Sequence, residues 1–201
     1  MMITHLIEKC APEIAPVTMA AIVRVESGGN PLAMWNNTTG QKILPASRQQ
    51  ATSYLQQAIA AGDKVDVGLA QVDTENFQEY GLTVKTAFNA CRNLRVGGQI
   101  LASDYVRAVS HYGSSQEALF HAFEAYNSGY LVGDASYSRQ VLASAGIPVT
   151  VLPGGGLAFK IVQHFHDPFS YHWATAPGST FPVDASYRGS ASGLGLTRKW
   201  G

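Results

Sequence analysis

Glycine and proline divide the first 148 residues of this chain into short segments, and most of those segments carry helical periodicity. From Thr18 to Glu26 the residues Met19, Ile22, Val23 and Glu26 fall at helical spacing. Pro16 suits the first turn of that helix, and Gly28-Gly29-Asn30-Pro31 stops it. Ser47 opens a second helix closed by Gly62. Asp73 or Thr74 caps a short one ended by Gly81, and Thr83 starts one further turn towards Phe88. A long amphipathic segment runs from about Ala90 to His111, with Leu94, Ile100, Leu101, Tyr105 and Val109 as its core positions. Gly97-Gly98 inside it costs helix propensity, which points to close approach by a neighbouring element. Ser114-Ser115-Gln116-Glu117 has capping-box character before the helix ending at Asn127-Ser128-Gly129. Asp134 caps a last helix, stopped by Gly146-Ile147-Pro148. Residues 31–45 read as loop, and Asp66–Val72 as a turn or short extended piece. A chain cut up in this way folds as a compact, mainly α-helical domain.

After Pro148 the pattern changes. Residues 149–201 are rich in Gly, Ser, Pro and aromatics and read as an extended tail that orders against a partner. Gly154-Gly155-Gly156 reads as a hinge, and Leu157 to Phe165 as one short ordered element. The expected division is therefore a helical domain over 1–148 and a tail over 149–201.

Fourteen basic residues balance fourteen acidic ones, so no global charge favours nucleic acid or an anionic membrane. Charged residues make up only 14% of the chain, well below the usual quarter. Its polar surface is thus built from hydroxyls, amides and glycine, which suits neutral, hydroxyl-rich ligands. No apolar run reaches the roughly 20 residues of a membrane span. The first ten residues lack the basic n-region and long apolar h-region of a signal peptide, so no export signal is expected within this chain. His164, His166, His172 and Asp167 lie close together in the tail, without the cysteine or further acids of a metal site. Gly154-Gly155-Gly156 lacks the Lys-Ser/Thr of a phosphate loop. No metal and no cofactor are expected. Cys10 and Cys91 read equally as two buried thiols or as one disulfide.

Three strings concentrate the chemistry. Glu26-Ser27 places a carboxyl on the last turn of an apolar helix, where the helix dipole and neighbouring core side chains disfavour its charge. A raised pKa there is what a general acid working near neutral pH requires. Gly68-Leu69-Ala70-Gln71-Val72 is a glycine turn leading to an amide with both donors and an acceptor. Ala125-Tyr126-Asn127-Ser128-Gly129 sets a phenol beside a second amide. Taken singly, each has an ordinary structural reading: a solvated helix-end glutamate, an amide bracing its turn, a core tyrosine beside a capping asparagine.

In this order, followed by Tyr137, the strings resemble the motif set of lytic transglycosylases with a lysozyme-like domain, over roughly residues 10–145. More narrowly, Cys10-Ala11-Pro12 and Cys91-Arg92-Asn93-Leu94 resemble the branch associated with type IV secretion and conjugation. The resemblance implies a lysozyme-like helical domain with a substrate cleft, acting on peptidoglycan in the periplasm, with residues 149–201 available to secretion-machinery subunits. It implies that Glu26 is the one catalytic carboxylate. That residue would protonate the glycosidic oxygen between N-acetylmuramic acid and N-acetylglucosamine, then act as base on the muramic 6-hydroxyl to leave a 1,6-anhydro product. No second acid is needed if the sugar's own N-acetyl group stabilises the cation. Ser27, Gly68, Ala70, Gln71, Tyr126, Asn127 and Tyr137 are the implied substrate-binding residues. Tyr126 would aim its hydroxyl at Glu26 or the N-acetyl group, and Ser27 would hydrogen-bond the acid or the substrate. Ala70 departs from the family, which commonly has Met there, or Gly in the secretion-linked branch. As a cleft-lining position it would alter sugar packing. Met34 and Trp35 fall in the loop after the acid, with packing as their expected role. The resemblance also implies a Cys10–Cys91 disulfide. A lysozyme-type hydrolase using the same acid, and a non-catalytic glycan-binding scaffold, are the competing functions.

Overall fold

The computed structural model describes residues 3–133 and 135–147, with the backbone of 149–151 and 157–159. Asp134, Gly154–Gly156, the three tail histidines and the rest of the tail lie outside the described residues. Seven α-helices are present among the described residues: α1 (Ile3–Cys10), α2 (Pro16–Ser27), α3 (Arg48–Ala60), α4 (Phe77–Tyr80), α5 (Ala90–Tyr112), α6 (Gln116–Ser128) and α7 (Ala135–Ser144).

Helix ends follow local chemistry. Pro16 is the first residue of α2, where its missing N–H is no loss. Gly28, Gly81 and Gly129 close α2, α4 and α6 in the left-handed conformation that glycine adopts without penalty. Ser47 caps α3 by accepting from the Gln50 N–H, and Asn89 caps α5 by accepting from Arg92 N–H. Asp73 caps a short 3₁₀ turn, Thr74–Asn76, that leads into α4. The α6 cap sits one residue later than the capping-box pattern places it. Ser115 accepts from the Ala118 N–H, which leaves Glu117 a residue too early to reciprocate. Residues 83–88 form hydrogen-bonded turns rather than a helix.

Residues 31–45 correct the loop reading. They hold β1 (Met34–Asn36) and β2 (Gln41–Ile43), which join β3 (Val65–Val67) and β4 (Val72–Asp73) in an antiparallel sheet of order β2-β1-β3-β4. Register sorts the side chains, because cross-strand partners share a face. Met34 pairs with Ile43 and Val67, and Val67 with Val72, which gives one apolar row. Lys42, Trp35, Asp66 and Asp73 form the row on the other face. Asp66 and Asp73 are both buried, and the Asn37 amide donates to them at 3.0 and 3.4 Å. Beyond α7, β5 (Val149–Val151) and β6 (Leu157–Phe159) pair antiparallel.

The core gathers around α5. Its face of Leu94, Gly97, Gly98, Leu101 and Ala108 is buried, with α6 along it and α1 against its first half. Phe120 and Phe123 from α6, Met19 and Ile22 from α2, and Phe88 fill the space. Each such side chain contributes roughly 1.5–3 kcal/mol by leaving water. Cys10 at the end of α1 is disulfide-bonded to Cys91 at the start of α5, with Cα atoms 5.1 Å apart.

Candidate active site

The last turn of α2 carries Glu26 inward, where it is only 5% exposed. Its neighbour across the helix interface is α7, which delivers Tyr137 from 111 residues further along the chain. The Tyr137 hydroxyl donates to Glu26 Oε1 at 2.6 Å. A bond this short fixes the orientation of the acid.

Ser27, beside the acid, points elsewhere. Its hydroxyl lies 3.0 Å from the Val23 carbonyl and 2.9 Å from that of Leu69, so its one hydrogen is directed to backbone rather than to Glu26. Ser27 therefore ties the end of α2 to the β3–β4 turn. That turn, Gly68–Gln71, is tethered from several sides. Gly68 N–H donates to Ala33 O at 2.8 Å, and Gln71 Nε2 donates to Ala33 O and Gly68 O at 3.0 and 2.8 Å. Both amide hydrogens of Gln71 are thus committed to backbone. Gln71 is itself left-handed, with φ at 46°, and no other non-glycine among the described residues has positive φ. Such a conformation is worth roughly 1–3 kcal/mol of strain and persists only where the surroundings hold it.

Two expected roles are corrected. Ala70 does not line a cleft. It is fully buried, and a Cβ built on Gly97 of α5 would stand 2.4 Å from Ala70 Cβ. The methyl fits because Gly97 has none, so this interface limits the size of residue 70. Tyr126 donates its hydroxyl hydrogen to Ala70 O at 2.7 Å, bracing the turn, while the phenol that donates to the acid is Tyr137.

Asn127 follows Tyr126 on the last turn of α6. It is 9% exposed, and its Oδ1 is buried without a hydrogen-bond partner among the described residues. A buried acceptor left in this state is unfavourable, and a ligand N–H or O–H would satisfy it. The end of α6 is held from below. Arg107 donates to Gly129 O at 3.1 Å and pairs with Asp104, whose carboxyl is pushed up to about 7 by burial against the opposing pull of Arg107. His121 Nδ1, 2.6 Å from Glu124 and 2.8 Å from Leu131 O, fixes the loop between α6 and α7.

The structure therefore brings Glu26 and Tyr137 into direct contact, and links Ser27, Gly68, Ala70, Gln71 and Tyr126 through one turn. Sequence reasoning missed the braces behind them. Asn93 is the chief one, visible only as part of the Cys91–Leu94 string. Of the buried pair Asp66 and Asp73 flanking the turn, Asp73 was legible only as a helix cap and Asp66 gave no signal. Among the described residues no group of three His, Cys, Asp or Glu side chains could hold a metal ion.

Comparison with known proteins gives a family and several relatives. The family model for the transglycosylase SLT domain matches residues 5–138. The type IV secretion system protein virB1 of Brucella suis biovar 1 (strain 1330) is 39% identical over 161 residues, covering 74% of this chain and 67% of that protein. Protein virB1 of Rhizobium radiobacter is 37% identical over 153 residues, 74% of this chain and 64% of its own. Protein virB1 of Agrobacterium fabrum (strain C58 / ATCC 33970) is 39% identical over 139 residues, 68% of this chain and 56% of its own. No solved structure matches the chain.

Proposed function

The chain belongs to the transglycosylase SLT domain family, and from that premise we propose that Glu26 cleaves the glycan strands of peptidoglycan as a lone acid and base. The protein is a lytic transglycosylase of the type IV secretion kind, with the mainly helical, lysozyme-like fold of its family. The observation that carries the assignment of the acid is the buried Glu26 held at 2.6 Å by Tyr137.

With Oε1 accepting from Tyr137, the transferable proton sits on Oε2. It passes to the bridging glycosidic oxygen as the bond from that oxygen to C1 of the N-acetylmuramic residue breaks, and the sugar's N-acetyl group stabilises the developing cation. Glu26, now a carboxylate, takes the proton of the muramic 6-hydroxyl as O6 bonds to C1. Glu26 is returned to its starting state, no water is consumed, and the product carries a 1,6-anhydro ring. Because attacker and electrophile belong to one sugar, the closing step is unimolecular and gains from proximity. Asn127 Oδ1 supports a site that receives an N–H or O–H group of a neutral sugar.

Glycan release analysed by mass spectrometry tests this reading. 1,6-Anhydro ends are expected, and reducing ends would move the assignment to a hydrolase. Glu26→Gln should lower turnover by about 10²–10⁴-fold, the usual contribution of a general acid. Undiminished digestion by that variant would leave the scaffold function standing instead. A hydrolase would need a second carboxylate, and the buried Asp66 and Asp73 flank the Gly68–Gln71 turn. Under the present reading Asp66→Asn changes the stability of the sheet but still yields anhydro ends.

Periplasmic action, opening the wall for a secretion or conjugation machine, is part of the same proposal, and the type IV secretion name of a 39% identical relative supports it. No helix among the described residues is long and apolar enough to cross a membrane. Residues 149–201 are proposed as the part that meets machinery subunits.

A further inference from the structure

A fully hydrogen-bonded amide beside the site belongs to a residue given no role above, although it falls in the Cys91–Leu94 string. Asn93, on the first turn of α5, is 1% exposed. Its Nδ2 donates to Val67 O at 2.8 Å and to Ala87 O at 3.1 Å, and its Oδ1 accepts from Ala70 N–H at 2.8 Å. Both donors and the acceptor are in use, and two of the three bonds hold the Gly68–Gln71 turn, at Val67 just before it and at Ala70 within it. The amide also fills the space in front of Gly68. A Cβ there would stand 2.6–2.9 Å from the three terminal atoms of Asn93. Gly68 is thus required both by its φ of +81° and by the side chain it faces.

We propose that Asn93 is the positioning residue of the reaction: it holds the Gly68–Gln71 turn in the conformation that places Gln71 and ties the turn to the acid's helix. The inference rests on the lytic reading above. Three groups depend on that conformation. Leu69 O receives Ser27 next to Glu26, Ala70 O receives Tyr126 next to Asn127, and Gln71 is kept at its left-handed φ. If Val67 O and Ala70 N–H lost their partner, two buried backbone groups would be left unsatisfied, and the turn would swing to find others. The sheet would survive, since the Met34, Val67 and Val72 pairings do not involve Asn93.

The test separates positioning from ordinary stabilisation. Asn93→Asp keeps the shape and the acceptor but, when ionised, presents lone pairs to the Val67 and Ala87 carbonyls. Asn93→Ser removes the reach altogether. Asn89→Ala, which deletes the α5 cap without touching the turn, is the control for lost stability. Expected for both Asn93 variants is a fall of about 10²-fold in kcat/KM per folded molecule, the scale of a small misplacement at a reacting centre. Asn89→Ala should keep parental kcat/KM. Hydrogen exchange at the Ala70 amide, slow in the parent, should accelerate in the Asn93 variants alone. That measurement needs no activity, so an inactive parent would refute the lytic reading while the exchange result still judges Asn93. Activity that merely follows the folded fraction, unchanged protection at Ala70, or failure of both Asn93 variants to fold would each make Asn93 a residue of the fold and overturn the proposal.

Discussion

The Tyr137 hydroxyl sits 2.6 Å from Glu26 Oε1, and replacing it with hydrogen is the smallest change that reaches the acid. Hydrogen bonds to a charged group are worth about 1.5–3 kcal/mol. Tyr137→Phe should therefore lower kcat by roughly 10–100-fold. Because the phenol touches the acid, KM should change little in initial-rate assays on purified peptidoglycan. Asp104 gives a prediction of a different kind. Burial holds its carboxyl at about 7, above the ordinary value of 3.8. A group that binds its proton more tightly in the folded state contributes stability that is complete below about pH 4 and is lost as pH rises through about 7. Asp104→Asn should therefore melt with the parent in acid and above it at pH 8, as a Tm series across pH would show. Which phenol serves the acid was not legible in the sequence. Tyr126 and Tyr137 are both tyrosines on predicted helices, and only the docking of α7 against α2 decides the direction of each hydroxyl.

At the level of elements, α5 is the spine that the turn and α6 both lean on. Gly97 is the point of closest approach, since an added Cβ would meet Ala70 at 2.4 Å and the Tyr126 hydroxyl at 3.0 Å. Gly97→Ala should cost about 1–3 kcal/mol by overpacking, read from the denaturant midpoint. Turnover should fall too, because the displaced groups brace the site. This crowding was legible beforehand, as two adjacent glycines inside a long amphipathic helix have few other reasons to be there. So were the stops at Gly28, Gly81 and Gly129, where a left-handed residue is needed. The sheet was not. Its strands are two or three residues long, too short for alternation to show, and they are held by backbone pairing that side-chain patterns do not record.

Over the whole molecule, the Cys10–Cys91 bridge closes a loop across a separation of 81 residues. In the chain-entropy account such a loop is worth about 4 kcal/mol. Replacing both cysteines with alanine should lower the unfolding free energy by that order in urea titration. A chain truncated after residue 148 should still release anhydro-muropeptides, which checks the proposed division of labour with the tail. The long reach between Glu26 and Tyr137 has a consequence for timing. An enzyme that dissolves the wall around its own cell is dangerous when half made. Here the acid is synthesised early and its partner phenol 111 residues later, so a chain still emerging from a ribosome holds an incomplete blade. The acid gains its phenol only when α7 docks, the last helix among the described residues.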